Sequence, residues 1–148
     1  MNQNDRQNNL LEVIAQLQEA ATHLRISLER CTAIGLVVKD ENALIEFEAF
    51  TSRFARAVDL LIHKVYRSID NVEFIEGGTL IDVMNRAEKR KLIDSTREMR
   101  LLKDMRNDIA HAYLAERLQL LHEEVLNQAP RLLELIQKSI DYCQRLFC

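Results

Sequence analysis

Eight consecutive residues, Arg106-Asn107-Asp108-Ile109-Ala110-His111-Ala112-Tyr113, bring a guanidinium, an imidazole and a phenol close together in the chain. An imidazole titrates near neutral pH and can move a proton, and an arginine fork stabilises charge on phosphate oxygens. With no metal-ligand cluster nearby, the pair suits cleavage of RNA without a metal or other cofactor. The ribose 2′-hydroxyl attacks its own phosphodiester, His111 serves as general base or acid, and Arg106 stabilises the developing phosphorane. Spacing adds a condition. Five residues on an ideal helix turn by about 500°, so Arg106 and His111 stand about 140° apart around the axis. Either the helix bends near His111 or a second copy of the chain supplies the missing group. Other chemistries fit less well: His122-Glu123 lacks the second histidine of a zinc motif, no glycine-rich phosphate loop exists, and no Ser or Cys has an evident triad.

Charge supports a phosphate-handling reading. Between Arg86 and Arg106 eight basic residues stand against four acidic ones, in a chain whose net charge is −3. The positive field is therefore concentrated just upstream of the Arg–His pair, with Arg97, Arg100 and Lys103 as candidate RNA contacts. Composition bounds the rest. At 148 residues, 47% hydrophobic and 29% charged, the chain can bury one substantial core, and three Gly with one Pro leave little material for a sandwich or barrel. The polar start MNQNDRQNN carries no secretory signal, and no uninterrupted apolar run reaches membrane-spanning length. Cys31, Cys143 and Cys148 have neither even number nor Cys-x-x-Cys spacing and read as reduced thiols. A cytoplasmic protein with no membrane partner is expected.

The elements that must position the pair read as helices. Leu10, Ile14, Leu17, Ala21, Leu24, Leu28 and Cys31 follow heptad spacing, predicting a helix from about 8 to 32 that Gly35 ends, with residues 1–8 flexible. Asp40 caps a second helix to about 70, whose stripe of Phe47, Phe50 and Phe54 forms the centre of the core, with His63 beside it as a core or boundary residue. Glu76-Gly77-Gly78 is a loop, and Thr79 with Asp82 opens a short helix to about Arg90. Ser95 with Glu98 is a capping box for the helix that carries Met99, Leu102, Arg106 and Ile109 on one stripe. Arg106 thus stands where a core residue belongs and must face a polar cleft, an acidic partner or a subunit interface. The last helix runs through Leu118, Leu121, Val125, Ala129, Leu132, Ile136, Ile140 and Cys143, and Pro130 predicts a kink or a break in it. The expected architecture is all-α: one domain over 1–148, an up-and-down four-helix bundle with an extra short helix and a kinked C-terminal helix.

Arg-Asn-Asp-Ile-Ala-His, residues 106 to 111, resembles the Arg-x(4–6)-His signature of the HEPN superfamily, in which Asn107 fits the position after the arginine. The extension to Tyr113 is similar to the HepT toxins of HEPN/MNT toxin–antitoxin modules. The resemblance implies a homodimer whose two motifs face each other as one composite ribonuclease site, with Arg106 and His111 catalytic and Asn107 supporting. It further implies a small nucleotidyltransferase antitoxin that attaches AMP to Tyr113, where a bulky anion would block RNA and repel its phosphates. Two other readings compete: a non-catalytic helical partner or substrate-binding subunit of a nucleotidyltransferase, and a dimeric adaptor with the basic stretch simply solvated.

Overall fold

In a computed structural model of the protein, which describes residues 2–112 and 115–147, the chain forms six α-helices and no strand among the described residues. Helix α1 spans Gln3–Ile34 and buries Leu10, Ile14, Leu17, Ala21, Leu24 and Cys31, the heptad seam, with Ser27 enclosed beside it. It starts five residues earlier than the apolar pattern implies, so Gln3 to Asn8 already belong to the helix. Asn2 caps it by accepting from the Asp5 amide at 2.8 Å, and Arg6 pairs with Glu76 while lying over the Phe74 ring. Side-chain capping and charge thus extend a helix beyond its buried stripe. Gly35 ends it at φ +90°, where a β-carbon is disfavoured, and its N–H donates to the Cys31 carbonyl.

Helix α2 spans Glu41–Asp59 with Asp40 as its N-cap. The chain then continues without a turn through a π-helical segment, Leu60–Val65, into α3, Tyr66–Val72. Val58, Ile62, Tyr66 and Asp70 are all buried, at steps of four. Such a row on a regular α-helix would rotate by about 40° per step. The wider i→i+5 turns take up that drift and keep one face inward. Phe47, Phe50 and Phe54 are fully buried, as the stripe predicts, but His63 is exposed rather than part of the core.

Helix α4, Leu80–Lys89, is a short bridge between α3 and α5, Thr96–His111. Its Thr79–Asp82 capping box is complete. At Ser95 only half of the expected box forms: the Ser95 hydroxyl accepts from the Glu98 amide, but the Glu98 carboxylate is taken by Arg131 of α6, whose Nε lies 2.9 Å away. Helix α6 spans Ala115–Leu146 and passes through Pro130 as one element rather than two. Pro130 is exposed, and having no N–H it gives the Leu126 carbonyl one turn back no helical donor.

Direction follows from the polar pairs. Asn9 meets Ser68, Arg53 meets Ser27, and the Cys31 thiol meets the Glu46 carbonyl, so α1 is antiparallel to the α2–α3 rod. Asp94 and Glu98 meet Arg131 while Asp108 meets Arg117, so α5 is antiparallel to α6. The four long elements therefore alternate up and down around one core, with α4 laid across α3 and α5.

Candidate active site

Arg106 leaves the apolar stripe of α5 towards α2, and the acid it requires is Asp59. Its Nε lies 2.9 and 3.1 Å from the two carboxylate oxygens, and both side chains are a little over a third exposed. Because Asp59 holds only Nε, the terminal nitrogens remain for another anion, with the Asn107 amide oxygen at 3.5 Å from Nη1. Asp59 is the last residue of α2, so the π segment begins immediately after the residue that orients the arginine. Between the π segment and α5 lies a groove of about 400 Å³ lined by Arg56, Asp59, His63, Lys64, Lys103, Arg106 and Asn107, with Leu60 and Ile62 beneath. Four cationic side chains thus face one carboxylate, itself already engaged. A concave surface with this balance concentrates anions.

His111 does not line this groove. It is the last residue of α5 and exposed, and the helix is uninterrupted from Thr96 to His111. The pair therefore stays on different faces within one chain. Tyr113 lies outside the described residues.

The basic window divides once folded. Arg86 and Arg90 are committed to structure: Arg86 Nε donates to Asp70 at 3.0 Å, and Arg90 reaches Asp70 at 2.7 Å and Glu73 at 2.9 Å. Asp70 is nearly fully buried, and Tyr142 of α6 also bonds Glu73, so this network fastens α4 to α3 and α6. Such groups offer nothing to a phosphate. Arg100 lines, with Lys103, a separate depression against Thr79 and Ile81 of the α4 region, and Arg97 is exposed outside both. Of the three candidate RNA contacts, only Lys103 shares the Arg106 groove.

Asp59, Arg56, His63 and Lys64 are the residues that sequence reasoning missed. The violation of the α5 stripe by Arg106 calls for a polar cleft, an acidic partner or a subunit interface, without saying which, or which of the chain's acids meets it. The steps from Arg56 to Asp59 and on to His63 and Lys64 look like a solvated face until α5 is laid against them. The chain matches no protein-family model, no curated protein and no solved structure.

Proposed function

We propose that the chain is a cytoplasmic, metal-independent ribonuclease toxin of the HEPN type, working as a homodimer and neutralised when a nucleotidyltransferase antitoxin transfers AMP to Tyr113. One observation carries the reading: Arg106 is held with its terminal nitrogens free in a basic groove, while the continuous α5 leaves His111 exposed at its own end. For His111, the imidazole of the motif, to act beside Arg106, it then has to come from a second copy. Exposed Arg100, Leu101, Asp104, Asn107 and His111 lie along the outer side of α5 and offer a face for that copy. In the composite site one His111 takes the proton of the ribose 2′-hydroxyl as its oxygen attacks phosphorus. The bond to the 5′-oxygen breaks, the other His111 protonates that leaving oxygen, and a 2′,3′-cyclic phosphate remains. Arg106 carries the charge that builds on the equatorial oxygens.

The test is cleavage of total RNA by the pure protein in a chelating buffer. The wild type is expected to give discrete fragments. Arg106→Ala and His111→Ala are each expected to abolish cleavage, on the order of a hundredfold or more, and to remove growth inhibition while light scattering still reports a dimer. Cleavage retained by both variants, or a monomeric wild type, overturns the reading. Intact RNA together with tight association to a nucleotidyltransferase would instead support the non-catalytic partner.

A further inference from the structure

The groove beside Arg106 holds more cationic groups than a single phosphate requires. We propose that Arg56, Lys64 and Lys103 form a binding subsite for the sugar–phosphate backbone of a single-stranded nucleic acid, leading the strand across the π segment to Arg106. The proposal rests on the ribonuclease reading for the identity of the strand, and on the groove itself for the site.

Three observations carry it. First, among the described residues Arg56, Lys64 and Lys103 take part in no ion pair, whereas Arg90 pairs with two carboxylates and Arg131 with three. Among the described residues the one acid that lines the groove, Asp59, has both oxygens on Arg106 Nε. Second, Arg56 belongs to three adjoining depressions. One is the groove itself, a second runs past Asp59 and Arg106 to Ile109 and Ala110 near the end of α5, and a third runs over α1 past Glu19 and His23. The Glu19 carboxylate repels a polyanion on the third path, so the favourable course goes from Lys64 and Lys103 past Arg106 towards the end of α5 that carries His111. Third, among the described residues no Phe, Tyr or Trp lines the groove. Base stacking contributes little there, and recognition falls on phosphates, which makes it tolerant of sequence and sensitive to salt.

The experiment follows binding of fluorescein-labelled oligodeoxythymidine by anisotropy over a range of salt concentrations. This probe lacks the 2′-hydroxyl and is not cut by the proposed route. The Lys64→Gln/Lys103→Gln double variant, altered only at groove positions outside the core, is expected to bind at least about tenfold more weakly at low salt. Its plot of log affinity against log salt should be shallower by about 1.4, the loss of two contacts on a single strand. Arg25→Gln, on the exposed side of α1, should bind as the wild type does. A wild type that does not bind, a double variant that binds equally well, or displacement by polyglutamate as effective as by unlabelled oligonucleotide overturns the subsite; the last result would assign the groove to an acidic protein segment. Oligonucleotide binding with the expected slope change, but no RNA cleavage, would leave the subsite standing and remove only the ribonuclease reading.

Discussion

The Arg106–Asp59 contact joins stability and chemistry in unequal parts. With both side chains over a third exposed, water and salt screen the pair, and it is worth at most about 1 kcal/mol to folding. Its geometric effect is larger. A guanidinium held through Nε is biased towards the groove, and catalysis is far more sensitive to orientation than stability is. In Asp59→Asn the side-chain shape is kept but the charge and one acceptor are lost. We expect its unfolding free energy in urea to stay within about 1 kcal/mol of the wild type, while RNA cleavage falls on the order of tenfold or more. Faster cleavage in this variant would mean that Asp59 competes with the phosphate instead of positioning the arginine. The sequence showed half of this contact. An arginine on an apolar stripe demands a partner, but choosing Asp59 required the packing of α2 against α5.

Among the elements, heptad spacing made α1, α2 and α6 legible, because burying one continuous stripe leaves a periodic trace that loops cannot blur. What it hid were departures from the ideal helix that still satisfy burial. The i→i+5 turns of the π segment keep one face inward where a regular helix would drift, so the apolar pattern runs through it unmarked and does not tell that His63 faces solvent. Helix ends were hidden for a related reason. The α4 terminus closes with the Leu92 amide on the Ala87 carbonyl and the Lys91 amide on the Glu88 carbonyl, the double bond of a Schellman motif, yet its left-handed position is Lys91 at φ +63°. The α3 terminus does the same with Phe74 at φ +64°. Sequence rules look for glycine there, and a left-handed conformation costs other residues about 1 kcal/mol. Lys91→Gly should therefore raise the urea midpoint, by about 1 kcal/mol in unfolding free energy with the m-value unchanged. A midpoint that falls would show that the flexibility gained by the unfolded chain outweighs the strain relieved.

For the molecule as a whole, one core runs through the bundle, so a strained group anywhere in it is read out by global unfolding. The clearest such group is His122 of α6. It is almost wholly buried, its ring stacks on Phe47 with centroids 4.5 Å apart, and its Nδ1 has no hydrogen-bond partner among the described residues. Burial pushes its pKa below the ordinary histidine value, because the imidazolium would lose most of its solvation against the core. The unfolded chain therefore takes up a proton near pH 6.5 while the folded protein still refuses one. Stability is fully present above that pH and declines as the pH is lowered from there towards the depressed folded-state pKa, a slope of at most about 1.4 kcal/mol per pH unit for one site. Urea unfolding between neutral pH and the onset of carboxylate protonation should show the decline in the wild type. His122→Leu, which keeps an apolar group on Phe47, should flatten it. A wild type whose stability is level across that interval, or a His122→Leu variant with the same slope, would mean that the imidazole is charged in the fold or exposed during the measurement, and the packing of α6 against α2 would have to be looser than the stacked rings imply.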